Sequence, residues 1–167
     1  MEDLLRRARE GDAEAFIRLI EQNKQSLYKV ARGYFSETMD IEDALSETVL
    51  SCWEHLGQIR KPEYLKSWLI RVLINKCNDL KRRRSRTVPM DTLPEVPVSD
   101  PDPGNLGFES LVRCLPEAYR PVMILYYGEG FSVREIAALL KLPAGTVTSR
   151  LKRGRERLAD VLKGESV

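Results

Sequence analysis

The chain has 167 residues, 43% of them hydrophobic, with 27 Lys and Arg against 25 Asp and Glu for a net charge of +2. That is enough apolar material for one ordinary domain or two small ones, and too much for a fully disordered chain. No apolar run approaches the ~20 residues of a membrane span, the N-terminus lacks the basic-then-apolar pattern of a signal peptide, and three scattered cysteines (Cys52, Cys77, Cys114) imply no disulfide framework. The expectation is a cytoplasmic, reduced protein with no membrane insertion of its own. His55, the single histidine, has no CxxC nearby, so no metal or other cofactor is expected.

The small net charge hides an alternation. Residues 33–59 carry six acidic groups and no Lys or Arg, whereas residues 60–88 carry ten basic and two acidic. Residues 89–110 are again purely acidic, with five, and residues 111–167 carry ten basic and six acidic. Blocks of both signs imply partners of both signs.

In chain order, Asp12 is placed to cap a helix running to about Arg32, with Ala15, Phe16, Leu19, Ile20, Leu27 and Val30 as its core positions. Asp40 is the candidate cap of a second helix, to about Leu56. On a helical wheel Ile41, Leu45, Thr48, Val49, Cys52, Trp53 and Leu56 share one half. Asp43, Glu47, Leu50 and Glu54 fall in a narrow arc on the other, with no Lys or Arg among them. Such an arc is either a solvated face or a surface for a basic protein with a shallow apolar pocket; DNA would be repelled by it.

Pro62 or Glu63 opens a third helix reaching about Arg84. Leu65, Trp68, Leu69, Val72, Leu73 and Leu80 make its core face, which Ile70, Ile74 and Cys77 extend. One arc stays polar: Arg71, Asn75, Asn78 and Arg82. The helix ends in Lys81, Arg82, Arg83, Arg84, Ser85 and Arg86. This pattern suits nucleic acid: Asn donates and accepts at base edges, and the basic run neutralises phosphates. A solubilising terminus that complements the helix dipole is the competing reading.

Five of the nine prolines fall between Pro89 and Pro103. Residues 88–107 read as a flexible, acidic, Pro-rich linker, roughly 65 Å when stretched and roughly 25 Å as a coil. Beyond it, helices are expected at 111–115, 118–127, 133–140 and 144–162. Ser132 and Glu135 form a capping-box pattern. The helix that follows turns Val133, Ile136, Ala137 and Leu140 inward, and residues 141–145 break it. The last helix buries Val147, Leu151, Gly154 and Leu158. Its other face shows Thr146, Ser149, Lys152 and Arg153, flanked by Thr148, Arg150 and Arg157. Two short helices, a tight turn and a basic second helix make a helix-turn-helix. The fold class is all-α, in two small helical domains, 1–87 and 108–167, joined by the linker.

Three stretches together carry a resemblance. DIEDALSETVLSCWEHL at 40–56, WLIRVLINKCNDLKRRR at 68–84 and LPEAYRPVMILYYGEGFSVREIAALLKLPAGTVTSRLKRGRERL at 115–158 resemble, in that order, the core-polymerase-binding helix, the minus-ten element helix and the minus-thirty-five reading domain of the extracytoplasmic-function class of bacterial sigma factors. The resemblance implies that Asp43, Glu47, Leu50 and Glu54 bind clamp helices of core RNA polymerase. It implies that Tyr64, Arg71, Asn75, Asn78, Lys81, Arg82, Arg83 and Arg84 serve the minus-ten element, with a base flipped into the region of residues 57–64. Thr146, Thr148, Ser149, Arg150, Lys152, Arg153 and Arg157 then serve the minus-thirty-five element of promoter DNA. It implies an anti-sigma partner and no catalysis.

Three positions depart from the family's pattern. Ser46 stands where glutamine is common, Thr148 where a basic residue is common, and Gly154 where alanine is usual. A stand-alone helix-turn-helix regulator leaves the acidic arc unused. A helical adaptor that touches no DNA leaves both basic faces unused.

Overall fold

The computed structural model describes residues 2–87 and 107–164, with the backbone alone at 86 and 87. Every element among them is helical. The chain divides into two compact units, Met1–Arg83 and Arg84–Val167. The linker read over residues 88–107 lies, but for Gly107, outside the described residues.

The first unit opens with α1, Glu2–Arg9, an element the sequence pattern did not reveal. It is short and highly charged, and it holds by burying Leu5 and Ala8 while packing along α2. Helix α2, Ala13–Tyr34, starts where expected: the Asp12 carboxylate accepts from the Glu14 and Ala15 amides at 3.1 and 3.2 Å. Arg7 clamps the other carboxylate oxygen at 2.7 and 3.0 Å. These two sets of contacts, the Ala15 amide first, hold the Asp12 carboxyl below its ordinary pKa.

Helix α3, Thr38–His55, begins earlier than expected. Asp40 is not its cap: Glu37 stands at the cap position without a side-chain bond, and Asp40 is buried inside the first turn. Ile41, Ala44, Thr48 and Cys52 face inward, and the buried Thr48 hydroxyl is satisfied by donating to the Ala44 carbonyl at 2.6 Å. Short 3-10 turns at Leu56–Gln58 and Pro62–Tyr64 lead into α4, Leu65–Thr87. Leu65, Leu69, Ile70, Leu73, Ile74, Cys77 and Leu80 are all buried, so α4 is covered on two sides and keeps one polar arc.

The second unit begins within the last turn of α4 and continues with α5, Phe108–Arg113. Arg120 donates to the carbonyls of Leu115 and Arg113 at 2.9 and 3.1 Å, tying off the end of that helix, and burial lowers its pKa. The helix expected at 118–127 is in fact three pieces: a 3-10 turn at Glu117–Tyr119, α6 at Arg120–Met123 and a π turn at Ile124–Gly128. Helices α7, Val133–Leu140, and α8, Ala144–Leu162, follow as expected. The Ser132–Glu135 capping box is present in both directions. Lys141 ends α7 in the left-handed region at φ 56°, and this turns the chain into α8. Ile136 and Leu139 are the buried positions of α7, a slight rotation from the face expected at Val133, Ala137 and Leu140, which are half-buried.

Candidate protein- and nucleic-acid-binding surfaces

Helix α3 turns Asp43, Leu50 and Glu54 to solvent, with Glu47 half-buried. Leu50 is 64% exposed, which water does not favour. Two further apolar residues share this face: Met39, 74% exposed, and Trp53, which the helical wheel puts on the inward half but which is 39% exposed because only part of its ring packs, 5.1 Å from that of Phe16. Met39 escapes the sequence pattern because the helix starts two residues before the expected cap. Met39, Asp43, Ser46, Leu50 and Trp53, all exposed, are spaced four, three, four and three. That is the spacing of a seam made to lie along another helix.

The acidic arc is not free of cations. Arg83, thirty-six residues on, reaches back from α4 and donates to both Glu47 carboxylate oxygens at 2.9 and 3.0 Å. The Glu47 contact comes first, with Asp79 and Asp43 adding at longer range, in holding the Arg83 guanidinium more firmly protonated. Helix α3 itself carries no Lys or Arg; the partner comes from elsewhere in the fold.

On α4, Arg71, Asn75, Asn78 and Arg82 are exposed, so the expected polar arc exists. Tyr64, 58% exposed, lies at its head, and its carbonyl accepts from the Ser67 hydroxyl at 3.2 Å. The basic run is engaged within the molecule. Lys81 stands 5.5 Å from the centre of the Tyr34 ring and 5.7 Å from that of Phe35. Arg82 pairs with Asp79, Arg83 with Glu47, and Arg84 also has a partner.

The second unit is different. Ser149, Lys152, Arg153 and Arg157 are exposed along α8, with Thr146 and Arg150 half-buried beside them, while Val147, Leu151 and Gly154 face inward. Thr148 is exposed, and its hydroxyl donates back to the Ala144 carbonyl at 3.0 Å. Arg153 and Arg157 border an open depression with Tyr119, Glu156 and Asp160. Tyr126 and Tyr127 form an exposed aromatic edge, their rings 4.9 Å apart, and Arg155 donates to the Tyr127 hydroxyl at 3.2 Å. The adjacent tyrosines were a visible signal; the π turn that presents them was not.

Gly154 fits its place closely. A Cβ there would meet the Met123 sulfur at 2.7 Å, and Met123 is itself buried. Cys52 and Cys77 are buried, which pushes both thiols up to about 12, while Cys114 is half-buried. No helix among the described residues is long and apolar enough to cross a membrane.

Comparison with known proteins gives these surfaces a context. Residues 19–87 match the Sigma-70 region 2 family and residues 106–158 match Sigma-70 region 4. The ECF RNA polymerase sigma factor SigM of Mycobacterium tuberculosis is 31% identical, over 91% of this chain and 79% of its own length. The ECF sigma factor SigE of Mycolicibacterium smegmatis is 33% identical over 89% of this chain, which spans 62% of that relative's length. Among solved structures, the sigma factor RpoE in complex with the anti-sigma factor NepR from Bartonella quintana superposes with a TM-score of 0.74 at 26% identity, covering 92% of this chain and all of that one. The two family matches and the likeness to SigM show that the chain belongs to the ECF family of RNA polymerase sigma factors.

Proposed function

We propose that this chain is a dissociable specificity subunit of bacterial RNA polymerase, acting in the cytoplasm by binding and not as an enzyme. In this reading residues 1–87 bind core polymerase and the minus-ten element, residues 108–167 bind the minus-thirty-five element, and residues 88–107 tether the two. The observation that supports it best is the pair of dissimilar faces in one small unit: the exposed Met39–Asp43–Ser46–Leu50–Trp53 seam of α3 and the exposed Arg71–Asn75–Asn78–Arg82 arc of α4. A seam with that spacing and acidic flanks suits a helix of the polymerase clamp rich in basic residues. An arc of two arginines and two asparagines suits an unpaired strand, whose bases offer hydrogen-bonding edges and whose phosphates offer charge.

Opening follows from binding alone. The arc of α4 and the region around Tyr64 stabilise the unpaired strand, and this offsets an unstacking cost of a few kcal/mol. The outward side chains of α8, Thr146, Thr148, Ser149 and Lys152 foremost, enter the major groove, while Arg150, Arg153 and Arg157 meet phosphates. The tether keeps each unit at high effective concentration near its own element. An anti-sigma factor that covers these faces is the expected regulator, in keeping with the RpoE–NepR complex.

Asn75→Ala tests the division of labour. Permanganate reactivity of thymines near the start site should fall severalfold in the variant, while binding of the closed duplex is nearly unchanged. Normal reactivity removes Asn75 from the strand-binding arc. A stand-alone regulator, by contrast, binds duplex DNA without polymerase and gives the α3 seam no role.

A further inference from the structure

Within the reading above, Glu47 belongs to the polymerase face and Arg83 to the DNA face, yet in the free chain they hold each other. Both Glu47 oxygens accept from one Arg83 nitrogen, at 2.9 and 3.0 Å. The pair is accessible, with 37% of the Glu47 side chain and 56% of the Arg83 side chain exposed. It joins two helices that the chain otherwise presents to different partners. Each member is therefore withdrawn from its own surface by the other. A guanidinium that neutralises Glu47 cannot at the same time neutralise a phosphate with full effect, and a carboxylate so occupied attracts a basic clamp helix less.

We infer that the Arg83–Glu47 pair is a clasp that couples the two faces: docking on core polymerase takes over Glu47 and so delivers Arg83 to DNA, and DNA in turn frees Glu47 for polymerase. Because the coupling is one free energy seen from two sites, it acts equally in both directions. Its size is set by an exposed ion pair, which corresponds to roughly two- to fivefold in affinity. The effect is a bias toward the assembled polymerase over free chain on DNA. Arg82 pairs with Asp79 and Lys81 stands over Tyr34 and Phe35, all of them outside the polymerase face.

The test uses the whole chain and two probes: a fluorescent single-stranded DNA oligonucleotide without polymerase, and core polymerase without DNA. Glu47→Gln should bind the oligonucleotide about two- to fivefold more tightly and steepen its logarithmic salt dependence by about 0.7, one further phosphate contact. Glu42→Gln removes the same charge from another side of α3 and should change neither. Arg83→Ala should bind the oligonucleotide more weakly, and adding Glu47→Gln to it should restore nothing. Reciprocally, Arg83→Ala should bind core polymerase about two- to fivefold more tightly, a gain absent when Glu47 is already Gln. An equal DNA gain from Glu42→Gln, or a Glu47→Gln gain that survives in Arg83→Ala, overturns the clasp while leaving the functional reading intact. Failure of the unchanged chain to bind core polymerase overturns the functional reading and the clasp with it.

Discussion

The basic run of α4 and the basic face of α8 are similar in composition and opposite in readiness. On α4, Lys81 stands over two aromatic rings, Arg82 holds Asp79 and Arg83 holds Glu47. On α8, among the described residues, Arg150, Lys152, Arg153 and Arg157 make no side-chain hydrogen bond or ion pair. DNA arriving at α8 displaces only counterions. DNA arriving at the end of α4 must also take cations from protein partners. A count of Lys and Arg cannot separate the two cases. The difference suits a division in which the helix-turn-helix finds duplex DNA and the first unit engages DNA only after other partners have bound.

The acidic face of α3 should be the most sensitive to charge reversal. Asp43→Lys with Glu47→Lys places like charge against a basic clamp helix, which costs several kcal/mol and about 100-fold or more in affinity. Asp43 is exposed, and Glu47, though half-buried, loses only a partly exposed pair with Arg83, so far-UV circular dichroism should be nearly unchanged. Undiminished recovery of core polymerase in a pull-down removes the docking role.

Lys152→Ala comes next, with a loss of about tenfold on an upstream duplex, in line with one base contact. Its signature is altered preference among randomised upstream elements. Loss of strength with no change in preference makes Lys152 a phosphate contact, and no change of either kind removes it from the reading face.

A smaller pair of effects tests the packing that aims α8. At Gly145 a Cβ meets nothing within 4 Å, so Gly145→Ala should gain up to about 1 kcal/mol from helix propensity. At Gly154 it meets buried Met123 at 2.7 Å, and overpacking of about 1–3 kcal/mol should outweigh the same gain. Thermal unfolding of the two variants should therefore move in opposite directions; stabilisation by Gly154→Ala shows that Met123 has room to shift.

The smallest effect is chemical. With Cys52 and Cys77 buried and held protonated up to about 12, native protein at pH 8 should yield no more than one fast-reacting thiol, that of Cys114. Rapid reaction of two or three shows that the first unit opens readily.

The sequence carried local geometry well where a side chain bonds to its own neighbourhood. Asp12 and the Ser132–Glu135 box mark helix starts because the carboxylate or hydroxyl meets amides two or three residues on. The outward arcs of α3, α4 and α8 were legible because helical period alone determines which residues share a side. Asp40 misled because an acid in a first turn has the same local pattern whether it caps the helix or is buried within it. Helix α1 was hidden because two apolar residues suffice once α2 covers them. The clasp was out of reach in principle: Glu47 and Arg83 are thirty-six residues apart, and only the tertiary fold brings them together.

Whether this chain is a specificity subunit of RNA polymerase is decided most directly by titrating the purified chain into bacterial core RNA polymerase, followed by run-off transcription on a library of genomic fragments. A sigma factor should give tight, saturable binding and new, discrete start sites that share an upstream and a minus-ten element. Retained binding to duplex DNA with no affinity for core polymerase contradicts that role, and leaves the seam from Met39 to Trp53 as a solvated face.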